Sequence, residues 1–262
     1  MNLYKSAQFR LMIILFVLCI QLNSSYADEQ HKIIYFGLAG DMFSQLIDQK
    51  PVGIIAQSMD YVLQQMGYTV HYILLSSDVM KESIQEGELD VAASMPNYSN
   101  SNEKIFWMTD TIFREYNILF VKYGKGFPVT NHASLYDKKI GGKHGCTYSL
   151  IEGDSQIQIE RVHTDAENIR NLLLGKLDVV IAGAVTAYYL RLEGLIRDLE
   201  VLDRSVGYVD FGGALSKKRF AKEDVSRFNN LLLQLKQEPQ WQKILNSNSA
   251  SNLVKQWPLI QE

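Results

Sequence analysis

The feature that most restricts what this chain can fold into is a short pattern that occurs twice. Gly87-Glu88-Leu89-Asp90-Val91 returns as Gly175-Lys176-Leu177-Asp178-Val179 with a single mismatch. Each copy follows a helical segment and runs into small apolar residues, so each reads as a helix, a Gly-marked turn and a strand. The same supersecondary unit placed twice indicates two α/β lobes of similar plan.

The flanking sequence fills in those lobes. Residues 32–36 are a short β-rich run ending in Gly37-Leu38-Ala39-Gly40. Ile55, Met59, Val62, Leu63 and Met66 then fall on one face of a helix, with Gly67 where its cap belongs. A strand over 70–75 follows at once, giving β-α-β, the unit of a parallel sheet. A second helix is expected over about 78–85, ahead of a strand over 89–94. Residues 116–123 read as a strand, and 124–130, with Gly, Lys and Pro, as a crossing between lobes. The extended run 207–215, with Gly212-Gly213, carries the chain back, and two crossings make a hinge. Phe228, Leu231, Leu232 and Leu235 mark an amphipathic helix, extended past Pro239 by Trp241, Ile244 and Leu245, which by position packs on the first lobe. The expected division is 28–122 plus 212–262 for lobe 1 and 123–211 for lobe 2.

At the start, Lys5 and Arg10 accompany an unbroken apolar run over 11–20, and Ser25-Tyr26-Ala27 offers small residues at the −3 and −1 positions of a cleavage site. That is the pattern of a secretory signal peptide over residues 1–27. The run is about half of the ~20 residues a spanning helix needs, and Leu18 before Cys19 does not suit lipid attachment. Release as a soluble protein into the periplasm of a two-membrane bacterium is expected. Cleavage would remove Lys5, Arg10 and no acid, making the chain more acidic than its overall charge of −3. Such a chain lacks the basic surface that a nucleic-acid partner requires. It would also leave Cys146 as the lone thiol, with no internal disulfide to form.

Catalytic motifs are missing: there is no His-Glu-x-x-His, Cys-x-x-Cys, Gly-x-Ser-x-Gly or phosphate loop. No metal, nucleotide or other cofactor is implied. His31, His71, His132, His144 and His163 are scattered without ligand spacing, and Cys146 lacks a visible base. Two loops carry polar groups suited to binding. The first is Gly141-Gly142-Lys143-His144-Gly145-Cys146-Thr147-Tyr148-Ser149, which follows a short strand and is expected to open a helix; it reads equally as an anion-binding nest or as a Gly-rich turn with an ordinary cap. The second, Ser94-Met95-Pro96-Asn97-Tyr98 with Lys104 beyond it, leaves the carboxyl end of a strand, where open α/β sheets bind ligands; a solvated polar loop is the alternative.

Taken in order, these features resemble the bacterial periplasmic solute-binding proteins of the amino-acid-binding type, the family 3 extracellular partners of ABC importers, over nearly all of residues 31–258. The resemblance rests on Gly-Glu-Leu-Asp-Val followed by Ala93-Ser94-Met95, on Ser101-Asn102-Glu103-Lys104 where the family has Thr-x-Glu-Arg, and on Met108-Thr109-Asp110-Thr111 where it has Phe-Ser-x-Pro. Lys139-Ile140-Gly141 leading to Gly145-Cys146-Thr147, then Leu173 with Gly175-Lys176-Leu177-Asp178, complete it. It implies the type II periplasmic binding protein fold, two α/β lobes joined by two hinge strands that close around a solute.

Carried over, Lys104 stands where the family's Arg grips an α-carboxylate. Gly145, Cys146 and Thr147 stand in its second-lobe anion loop, and Gly183 where its Asp often pairs with an ammonium. Arg to Lys loses the bidentate fork, and Gly at 183 removes the charge that would offset burial of an ammonium. The expected ligand is therefore a small anionic or neutral polar solute, amino-acid-like or an organic acid, with any ring resting on Phe43, Tyr98, Trp107 or Tyr148. Asp41, Ser94 and Met95 complete the expected binding set.

Three functions compete. One is delivery of solute to the membrane permease of an importer. Another is a ligand-sensing adaptor of the same fold that presents its closed form to a membrane sensor. The third is an enzyme on the scaffold, similar to cyclohexadienyl dehydratases, which would need a proton donor among Asp41, Glu103 and Asp210; a non-enzymatic binding protein is the expectation.

Overall fold

The computed structural model describes residues 33–96, 105–185, 194, 197–248 and 259; the expected signal peptide lies outside the described residues. Strands β1 (Ile33–Leu38) and β4 (Thr69–Leu74) pair in parallel across helix α1 (Ile54–Gln65), as the periodicity requires. Between β1 and α1 the chain adds a hairpin, β2 (Gln45–Ile47) with β3 (Lys50–Val52), absent from the sequence expectation. Its turn residues Asp48 and Gln49 both take positive φ, 49° and 60°, as a type I′ turn demands, but without the Asn-Gly signature that would have announced it. Ile55, Met59, Val62 and Leu63 of α1 are fully buried. Each such side chain contributes roughly 1.5–3 kcal/mol by leaving water. Helix α2 (Ser77–Glu86) then leads to β5 (Val91–Pro96), which returns beside β1.

After the short β6 (Phe106–Met108), the second half runs β7 (Phe113–Lys122), a 3-10 turn (His132–Leu135), β8 (Ile140–Lys143), β9 (Ile159–Val162), α3 (Asp165–Leu173), β10 (Val179–Gly183) and the long β11 (Leu199–Ser216). The main sheet has the order β4-β1-β5-β11-β7-β10-β8-β9. Parallel trios stand at its two ends, β4-β1-β5 and β9-β8-β10, with antiparallel β11 and β7 between them.

The duplicated motif builds the same joint in both trios. Gly87 and Gly175 turn the chain at φ 79° and 73°. Asp90 Oδ2 then accepts from the Tyr35 amide of β1 at 2.9 Å, and Asp178 Oδ2 from the Lys139 amide just before β8 at 2.9 Å. The motif leucines, Leu89 and Leu177, are buried against bare glycines of the neighbouring strand: a Cβ on Gly37 would lie 2.6 Å from Leu89, and one on Gly141 2.5 Å from Leu177. Register agrees as well, with Gly37 opposite Ala92 and Gly141 opposite Val180.

Each lobe has its own core. Phe36, Met59, Val91, Phe113 and Leu215 share one cluster, to which helices α4 (Lys222–Leu235) and α5 (Pro239–Ser247) add Phe228, Leu232, Leu235, Ile244 and Leu245. The terminal helices thus return to the first lobe. Leu119, Val121, Ile140 and Ile181 pack in a second cluster, and Ile118, Phe120 and Val180 in a third on the other face of the same strands. Phe113 belongs to the first of these cores and Ile118–Val121 to the other two, so the change of core falls inside β7. Residues 124–130 follow β7, with Val129 buried in the second cluster. Strand β11 carries residues of both groups, Leu202 and Val206 in the second cluster and Leu215 in the first, and is longer than the extended run expected over 207–215.

Candidate functional site

A cleft of about 650 Å³ opens where the lobes meet. Asp41, Met42 and Phe43 reach it from the loop after β1, Lys143 from the end of β8 and Gly183 from the end of β10, so the carboxyl ends of parallel strands face it, as in other open α/β sheets. The crossing strands supply the floor, with Glu115 and Asn117 from β7 and Tyr208 to Phe211 from β11.

Of the residues expected from sequence, Asp41, Phe43, Cys146, Thr147, Tyr148 and Gly183 line the cleft, whereas Gly145 does not. Tyr98, Glu103 and Lys104 lie outside the described residues. For Ser94 and Met95 the backbone alone is described: both sit in β5, and Met95 pairs with Gly212 beside the cleft residue Phe211. Trp107 is turned elsewhere, donating its indole N–H to the Phe220 carbonyl at 3.0 Å under the Lys217 ammonium.

The glycine-rich loop corrects another expectation, since no helix follows it. Gly145 turns the chain at φ 76° and residues 149–153 form successive turns. Arg161 holds the loop from beneath, donating to the carbonyls of Lys143 and Cys146 at 2.8 and 2.7 Å and pairing with Glu152. Tyr148 is 2% exposed, and its hydroxyl accepts from the Lys143 amide at 2.8 Å; burial pushes its pKa up to about 12. Its ring is a structural wedge inside the second-lobe core rather than an open platform. The aromatic ring that does present itself is Tyr208, 41% exposed, with the Arg114 guanidinium 3.9 Å from its centroid. Burial raises the Cys146 thiol above its ordinary range, with Lys143 opposing the rise.

Most charges in the cleft are already engaged. Asp41 Oδ1 accepts from the amides of Phe43 and Ser44, each at 2.9 Å, closing its own turn. Asp210 is gripped bidentately by Arg114 at 2.7 and 2.8 Å, and Lys143 Nζ reaches Asp165 at 3.2 Å. Glu115 differs. Its Oε1 is buried without a hydrogen-bond partner among the described residues, as is Asn117 Nδ2 two positions along the same face of β7. Burial pushes the Glu115 carboxyl up to about 7, with Lys143 opposing that rise. Neither residue stood out in the sequence, because polar residues alternating in a strand read as a solvent face; the partner strand decides otherwise. Asn117 lies opposite Gly183, and a Cβ on Gly183 would run into the Glu115 carboxylate. The space left by glycine at 183 is thus filled by an acid from the neighbouring strand.

No helix of the described residues is long and apolar enough to cross a membrane. The family model described as "Bacterial extracellular solute-binding proteins, family 3" matches residues 41–249. No curated protein matches the chain. Among solved structures, an ABC uptake transporter substrate-binding protein from Streptococcus pneumoniae with bound histidine superposes with TM-score 0.62 at 17% identity, covering 87% of this chain and 96% of that one. An ancestral cationic amino acid solute-binding protein gives 0.64 at 19%, covering 83% and 96%. A histidine kinase sensor domain similar to periplasmic binding proteins gives 0.62 at 21%, covering 82% and 95%. At these identities the superpositions establish the two-lobed fold and nothing finer.

Proposed function

Because the chain belongs to the bacterial extracellular solute-binding proteins, family 3, and so works outside the cytoplasm, we propose that it closes around a small polar, amino-acid-like solute in the periplasm and hands it to an ABC-type importer. The observation that carries this reading is the cleft itself. It is lined from both lobes, spans the two strands that join them, and holds buried polar atoms with no hydrogen-bond partner among the described residues. Such atoms are costly to leave unmet, and a bound solute is what would meet them. We place the hinge in β7 and β11 near Asn117 and Gly207, so that lobe 1 comprises the chain before and after these strands and lobe 2 the part between. Of the two grounds for expecting an anionic or neutral solute, the glycine at 183 counts for less where Glu115 occupies that space, and the lysine at 104 lies outside the described residues. Binding without turnover follows the family's character; of the acids that could donate a proton, Asp41 and Asp210 already serve as acceptors in fixed contacts, Glu103 lies outside the described residues, and Glu115 joins them as a buried acid.

A second reading, a ligand-sensing adaptor without transport, is supported by the fit to a kinase sensor domain, which is as good as the fit to importer components. Thermal unfolding of the protein against amino acids, organic acids, sugars and polyamines tests the shared part of both. A true ligand at ~100 times its dissociation constant adds about 2.7 kcal/mol, a rise of roughly 5–10 °C for a chain of this size. No shift with any class would remove the solute-binding reading. Coprecipitation of the ligand-bound protein with a permease, or with a sensor kinase, then separates importer from adaptor.

A further inference from the structure

We infer that Glu115 is the counter-charge for a cationic N–H group on the solute, with the Asn117 amide donating to an acceptor beside it. This rests on the solute-binding reading above and names the chemistry of the ligand's deepest contact. Both side chains line the cleft from one face of β7. Glu115 Oε1 needs a donor and Asn117 Nδ2 an acceptor, and the described residues supply neither. The other cations nearby are committed, Lys143 to Asp165 and Arg114 to Asp210. Among the described residues no three acidic, His or Cys side chains are grouped to hold a metal ion. An organic cation with N–H donors satisfies Oε1, balances the buried charge and leaves its own acceptor for Asn117. Glycine at 183 is part of the device, since any side chain there would collide with the Glu115 carboxylate.

Binding of this kind is linked to protons. The charges acting on Glu115 are Lys143 on β8, Asp165 on α3 and Asp41 beyond β1, and the Val185 amide donates to the carboxylate; Cys146, Tyr208 and Asp210 are the other titratable residues lining the same cleft. Desolvation outweighs Lys143 and the amide, so burial pushes the Glu115 carboxyl up to about 7. A cation arriving below that pH expels the proton and binds weakly; above it the carboxylate is ready.

The test uses thermal unfolding at pH 8 against arginine, leucine, agmatine and putrescine, which carry a cationic N–H group, and against succinate, benzoate and glucose, which do not. A stabilising cation is then titrated calorimetrically. The expected result is affinity about tenfold higher at pH 8 than at pH 6, with close to one proton released per ligand at pH 6. Glu115→Gln should abolish the release and weaken binding at pH 8 at least tenfold. Proton release by the unaltered protein provides the readout even if that variant folds poorly. Stabilisation by succinate, benzoate or glucose alone would leave the binding protein standing and overturn the role of Glu115. So would a cation bound with no proton release and no pH dependence. No shift with any probe would overturn both.

Discussion

At the scale of single residues, Glu115 also bears on stability. A carboxyl whose pKa is raised in the folded protein, here to about 7 by burial, holds its proton while the unfolded chain has released it. Stability is undiminished below the ordinary carboxylate pKa and falls as pH rises from there towards 7. Glu115→Gln removes that penalty, so its melting temperature relative to the unaltered protein should rise between pH 5 and pH 8. An equal difference at both pH values would show that Glu115 is not buried as a protonated acid. The sequence made part of this site legible. Asp41, Cys146 and Gly183 stand where strands end or glycines turn the chain, and local patterns reveal such places. Glu115 and Asn117 were hidden because their environment comes from β10 and β11, far away in sequence.

At the scale of elements, the repeated motif was readable because its chemistry is local: a glycine at positive φ, a leucine to bury and an aspartate to fasten the next strand. What the pattern could not reveal is that Gly37 and Gly141 belong to the same device, since they meet Leu89 and Leu177 only after the sheet forms. Adding a methyl at either position overpacks the joint, at a cost of about 1–3 kcal/mol. Gly37→Ala and Gly141→Ala should therefore lower denaturation midpoints by similar amounts, and Leu89→Val or Leu177→Val in the matching background should recover part of the loss. If one glycine tolerates alanine freely, the two joints are not equivalent. The hairpin of β2 and β3 escaped sequence reading because its turn lacks glycine and asparagine. The first half of β11 escaped because Leu199 to Val206 mixes charged and apolar residues around register shifts against β7.

At the scale of the whole molecule, the near-palindromic strand order explains how one chain makes two lobes on a single sheet. Each parallel trio is anchored to its own core, and β7 and β11 alone run through the middle of the sheet. The Arg114–Asp210 pair lies across these two strands. Being partly exposed, it should contribute only about 0.2–1 kcal/mol to stability. Closure of the lobes over the cleft is measured by small-angle X-ray scattering of the protein with and without a saturating solute found by thermal unfolding. A smaller radius of gyration is expected in the bound state, restored on dialysis. An unchanged radius at saturation would contradict it, leaving a rigid scaffold that binds without moving.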